Sequence, residues 1–154
     1  MQTPEKLHIL IAEYNDSDIA LLKRIALSCD VECELYFARD GKEALDALAQ
    51  RAKFEAMPMP DLMLVNIYLP KINGLEVLRR VKEDERARRI PVVILTMSER
   101  QEDMVKAYDC GAVSYLLKPV EPEEFRRLTQ TVHDYWQLVR KPSDSGAKRK
   151  ATGP

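Results

Sequence analysis

Four residues of different chemical type hold equivalent places in this 154-residue chain, each directly after a short apolar run. Glu13 follows Leu7 to Ala12, Asn66 follows Leu62 to Val65, Thr96 follows Pro91 to Leu95, and Lys118 follows Val113 to Leu117. An acid, an amide, a hydroxyl and an amine gathered on one rim would form a small polar site. Its lysine and hydroxyl could bind an anion. Tyr14 and Asn15 come with Glu13, Ile67 and Tyr68 with Asn66, and Met97 and Ser98 with Thr96. Whether these groups meet depends on the elements that carry them.

The apolar runs read as buried strands, and the segments between them change to helical period. After Leu7 to Ala12, the residues Ile19, Leu22, Ile25 and Ala26 recur at helical spacing from Ser17 onward, with Asn15 or Asp16 to cap the first turn. Val31 to Ala38 alternates as a half-exposed strand, with Cys33, Leu35 and Phe37 on one face. A second helix is predicted from Asp40-Gly41 through Ala52, striped by Ala44, Leu45 and Leu48. Met57-Pro58-Met59-Pro60 cannot continue it, and the two methionines read as loop packing. Further helices are expected over Leu75 to Asp84, over Glu99 to Cys110 with Gly111 as its cap, and from Pro122 to about Val139.

The order is strand then helix, five times. Near-continuous apolar strands alternating with amphipathic helices imply an α/β fold with a parallel sheet covered on both faces. The expected architecture is a doubly wound five-stranded parallel sheet, which places its site at the carboxyl ends of the strands. One domain over residues 1–141 is expected, followed by a disordered basic tail over 142–154. In that tail, Lys148-Arg149-Lys150 reads as a solvated tripeptide.

Composition narrows the function classes. With 24 basic and 25 acidic residues, the net charge of −1 gives no field that would draw the chain to nucleic acid or to an acidic membrane. No apolar run approaches the roughly 18 residues a membrane span needs, and Met1 to Lys6 lacks the apolar core of a signal peptide. Cys29, Cys33 and Cys110 lack zinc-ligand spacing and read as reduced thiols of a cytoplasmic protein. His8 reads as a strand-edge residue and His133 as a helix-surface one, neither with a catalytic partner. Asn73-Gly74 reads as a turn pair.

Five segments in order resemble the receiver domains of bacterial response regulators: Ile9 to Glu13, Pro60 to Pro70, Gly74 to Leu78, Pro91 to Thr96, and Gly111 to Pro119. Each is weak alone, but their order is specific, and together they run from about Leu7 to Trp136. The stretch Ala56 to Pro60 and the triplet Asp134-Tyr135-Trp136 look most like the single-domain regulators that partner bacterial phytochromes. The resemblance implies a flavodoxin-like fold of five βα units. It also implies a histidine kinase, or a photoreceptor kinase, as partner.

The same resemblance assigns roles by position. Asn66 falls where the family has its phosphate-accepting aspartate. Glu13 and Tyr14 fall on the acidic pair that helps to hold magnesium, and the carbonyl of Tyr68 falls on the family's third protein contact to the metal. Thr96 matches the phosphoryl-sensing hydroxyl, Tyr115 the aromatic switch residue and Lys118 the lysine that pairs with phosphoryl oxygens. Without that framework, Thr96 and Tyr115 would read as ordinary strand residues. Lys118-Pro119 matches a cis bond of the family.

Two family acids are absent. An amide cannot form the acyl phosphate that a carboxylate forms, and a hard cation such as magnesium needs anionic oxygen ligands. The expectation is therefore a pseudo-receiver, not an enzyme, with no resident metal or other cofactor. Glu13 or the Asn66 side-chain oxygen would then neutralise Lys118. The alternative is a phosphate-accepting, magnesium-binding regulator seen as an aspartate-to-asparagine variant at 66. The second loss, at Tyr14, favours the first reading.

A partner surface is also legible. On the last helix, Phe125, Leu128 and Val132 form a stripe that continues to Tyr135 or Trp136, but not to both. Adjacent residues lie about 100° apart on a helix, so one of these rings must project beyond the core. Tyr135 and Trp136 are accordingly expected at the interface of a two-fold homodimer formed through the fifth strand and last helix.

Overall fold

The computed structural model describes residues 6–139, so the expected tail over 142–154 and the boundary at 141 lie outside the described residues. Five strands form one sheet: β1 (Leu7–Ala12), β2 (Cys33–Ala38), β3 (Leu62–Asn66), β4 (Val92–Thr96) and β5 (Ser114–Leu117). All neighbours are parallel, in the order β2-β1-β3-β4-β5. Between and after them lie α1 (Asp16–Leu27), α2 (Gly41–Leu48), α3 (Gly74–Glu83), α4 (Gln101–Asp109) and α5 (Pro122–Leu138).

The two-residue period of the strands explains the layering. Leu10, Ala12, Met63, Val65, Val92 and Ile94 face one side, where α2, α3 and α4 bring Ala44, Leu48, Val77, Leu78 and Ala107. Leu7, Ile9, Ile11, Leu62, Leu64, Val93 and Leu95 face the other, where α1 and α5 bring Leu22, Ile25, Phe125 and Val132. Cys33, Leu35 and Phe37 lean on this second layer, as the alternation in β2 required.

The turns after the strands are set by side-chain caps. The Asn15 side chain accepts from the Asp18 amide, Asp40 from Glu43 and Asn73 from Glu76, each opening a helix just past the sheet. Gly74 starts α3 hard against β3, where a Cβ would lie 2.1 Å from the Asn66 carbonyl oxygen. Only glycine permits that approach.

Three expectations need correction. Helix α2 ends at Leu48, not Ala52, because Gln50 and Ala52 take positive φ angles of 56° and 53° and turn the chain away. The turn returns the chain so that Met57 and Met59 can enter the core, where both are buried; they are core residues, not loop packing. His8 is not at a sheet edge, because β1 lies between β2 and β3; its ring nitrogen Nδ1 sits 3.0 Å from the Tyr36 hydroxyl.

Candidate functional site

Register brings the carboxyl ends of β1, β3 and β4 level, with Ala12 opposite Val65 and Asn66 opposite Leu95. The next residue of β1 is Glu13. It is fully buried, at 0% exposure, although it carries a carboxylate. Its Oε2 accepts from the amides of Tyr14 and Asn15, both at 3.0 Å, and from Asn66 Nδ2 at 3.1 Å. Its Oε1 lies 2.5 Å from Lys118 Nζ. That contact is an ion pair and not an aligned hydrogen bond, since Oε1 has no partner of hydrogen-bonding geometry.

Asn66 is buried at the last position of β3. Its two ends are used oppositely. Nδ2 donates to Glu13, and Oδ1 accepts from the Tyr68 amide at 2.9 Å. Both neighbours demand this orientation, because a carboxylate needs a donor and an N–H needs an acceptor. An aspartate here would instead set two carboxylates face to face.

Lys118 reaches in from the end of β5, before a cis peptide bond to Pro119. Its side chain is only 9% exposed, and Nζ donates to Asp18 Oδ2 at 2.8 Å in addition to its contact with Glu13. Burial pulls the ammonium down. The close contacts with Asp18 and Glu13, and their charges, outweigh it and hold the lysine above its usual 10.5. Glu13 was an expected partner and Asn66 the other candidate, but the second carboxylate is Asp18. The sequence reading missed it. The available signal was its place in the first turn of α1, three residues after the Asn15 cap, on the same rim as Glu13.

The remaining positions lie around this triad. Thr96 is buried, and its hydroxyl accepts from the Ser98 amide at 3.2 Å. Tyr115 is also turned inward, donating from its hydroxyl to the Ser98 carbonyl at 3.0 Å, while Ser98 Oγ binds Asp103 of α4. Thr96, Ser98 and Tyr115 thus tie β4, β5 and α4 together beside the triad. Tyr14 and Tyr68 turn outward, with exposures of 46% and 56%. Neither phenol joins the network around Glu13. Among the described residues, no group of three or more histidine, cysteine or acidic side chains is arranged to hold a metal ion.

Tyr135 and Trp136 stand apart from this site, on α5. Their rings meet edge to face with centroids 4.8 Å apart. Trp136 turns toward the core, donating Nε1–H to the Asp61 carbonyl at 2.9 Å, and Tyr135 is the ring that projects. Beside Tyr135, an open groove of about 590 Å³ runs between β5 and α5, floored by Val113, Leu116, Leu128 and Val132. Among the described residues, no helix is long and apolar enough to cross a membrane.

Comparison with known proteins bears on this arrangement. The family model described as the response regulator receiver domain matches residues 9–130. The response regulator Rcp1 of Synechocystis sp. is 32% identical over 128 residues, covering 83% of this chain and 87% of that protein. Among solved structures, the bacteriophytochrome response regulator AtBRR superposes with a TM-score of 0.74 at 37% identity, covering 90% of this chain and all of that one. The phosphorylated cyanobacterial phytochrome response regulator RcpA gives a TM-score of 0.73 at 30% identity, covering 92% of this chain and all of that one.

Proposed function

The chain belongs to the response-regulator receiver family, and from that premise we propose that it acts as a signalling interaction module whose site takes no phosphoryl group. The observation that carries this reading is the use of Asn66. Its amide already bridges Glu13 and the Tyr68 amide, and the lysine that would receive phosphoryl oxygens is neutralised by Glu13 and Asp18. An amide in this position is no nucleophile toward a phosphoryl donor.

The donor set does not suit magnesium. Glu13 is the single carboxylate among the four family positions, its Oε2 is filled by three N–H donors, and Asn66 points a donor, not a lone pair, at it. The module therefore works without a resident metal and without catalysis of its own. Names of its relatives join them to phytochromes, which supports a histidine kinase or photoreceptor kinase as its cytoplasmic partner. Its own assembly is a homodimer through β5 and α5, formed without any phosphoryl donor. Tyr135, 43% exposed beside the apolar groove, is the anchor. Trp136 supports it from beneath.

The test is incubation with acetyl phosphate and magnesium, followed by mass spectrometry of the intact chain. No phosphoryl adduct is expected. A phosphoryl adduct on the chain would overturn the reading. The second reading, a phosphate-accepting regulator in variant form, draws on the phosphorylated state of RcpA. It requires Asn66→Asp alone to restore full phosphorylation. On the first reading that change does not restore it fully, and adding Tyr14→Asp, which supplies a second acid, restores more.

A further inference from the structure

We propose that the Lys118 ammonium is the built-in cation of this site, seated between Glu13 and Asp18 where a divalent ion would otherwise be required, with Asp18 of α1 as an assigned member of the site. The inference deepens the metal-free reading above and rests on it.

Glu13 sets the requirement. A carboxylate with no solvent contact must be neutralised locally, or it costs several kcal/mol. Three neutral N–H donors saturate Oε2, but they bring no formal charge. Among the described residues, Oε1 faces a single cation, the ammonium at 2.5 Å. Asp18, in the first turn of α1 and 100 residues from the lysine in sequence, accepts from the same nitrogen at 2.8 Å. Nζ thus contacts an oxygen of each of two carboxylates, the kind of anionic ligand a hard cation takes. The two acids and one lysine leave one formal negative charge, and Asp18 is the more exposed of the two carboxylates.

Asn66 belongs to the same replacement. Its NH₂ group lies where an aspartate would repel Glu13, so the pocket needs one cation and not two positive charges. A divalent ion could enter only by expelling a lysine that is 9% exposed, or by lying against its ammonium. An ordinary structural ion pair predicts a different outcome: removing the lysine would then weaken the fold and leave the pocket indifferent to added cations.

The experiment compares the wild type with Lys118→Ala in thermal melts, titrated with magnesium, manganese and ethylammonium chloride at constant ionic strength. The wild type should show no saturable response to either metal. Lys118→Ala should melt lower and regain roughly 3–8 °C with a millimolar divalent cation, and a part of that with ethylammonium. A saturable metal response of the wild type overturns the proposal, as does a Lys118→Ala protein indifferent to all three cations. Should Lys118→Ala fail to fold, ¹⁵N spectra of the wild-type lysine side chains decide. The Lys118 ammonium should exchange slowly and ignore magnesium, and Asp18→Asn should speed its exchange. Fast exchange, or a shift with magnesium, overturns the proposal. The acetyl phosphate experiment is independent: a chain that binds magnesium yet gains no phosphoryl mass breaks this inference and leaves the unphosphorylated reading standing.

Discussion

At the amino end of β3, Asp61 is buried and its Oδ2 accepts from the His8 amide at 2.7 Å. Its own amide donates back to the His8 carbonyl at 2.7 Å, and its carbonyl receives the Trp136 indole at 2.9 Å. At the carboxyl end of β1, Glu13 is buried more deeply still, and it takes an ammonium and a side-chain amide besides its backbone donors. Both ends of the sheet therefore hide a carboxylate. Asp61 links β1, β3 and α5 through the His8 main chain and the Trp136 indole. Glu13 depends on two particular side chains, Asn66 and Lys118. An ammonium and an amide mark the carboxyl end of the sheet as the candidate site.

Removing the cation tests the distinction most severely. Lys118→Met should destabilise the fold by about 3–5 kcal/mol, because it strands a buried charge. Urea denaturation measures it, and a loss below about 1 kcal/mol would make Glu13 no more demanding than a surface acid. At the other end, Asp61→Ala should cost about 1.5–3 kcal/mol, the range for a hydrogen bond to a charged group, and should leave any cation response unchanged. A larger loss than that of Lys118→Met would reverse the ranking of the two ends.

Trp136→Phe is milder. It keeps most of the ring and removes the bond to the Asp61 carbonyl, for about 1 kcal/mol. Sedimentation should separate the two aromatic neighbours. Tyr135→Ala should dissociate the proposed homodimer at micromolar concentration, while Trp136→Phe should leave it assembled.

The smallest effect at neutral pH lies at Cys33, also at the amino end. Burial, reinforced by neighbouring Cys29, pushes its thiol from 9.0 up to about 12. The folded chain keeps this proton after the unfolded chain has lost it. Its contribution is therefore fully present below pH 9 and is lost as pH rises from 9 toward 12. Cys33→Ala should flatten that alkaline limb of the stability curve without adding stability at pH 7.

Much of this was open to sequence reading, for identifiable reasons. The periods of the apolar residues located the five strands and five α-helices, because burial on a sheet or beneath a helix repeats at fixed intervals. Glu13, Asn66, Thr96 and Lys118 were found because a parallel sheet must deliver its strand-end residues to one rim. The end of α2 was misplaced, since Ala49 to Ala52 carries no proline or glycine to announce the turn at Gln50. The projecting ring was foreseen as one of a pair, but Asp61 chose between them by offering its carbonyl to the indole.

The sequence by itself determined which chemical groups reach the site and that one of them is an amide, because strand order and residue identity are enough for that. Only the tertiary structure decided how they are paired. Asp18 reads as one of two acids in a helix's first turn, and nothing local separates it from Asp16. In the fold, Asp16 pairs with Arg39 toward solvent and Asp18 turns inward to Lys118. Positions two apart on a helix point to nearly opposite faces, and the direction that meets a buried ammonium is set by the packing of α1 and β5 on the sheet, not by the residues on either side.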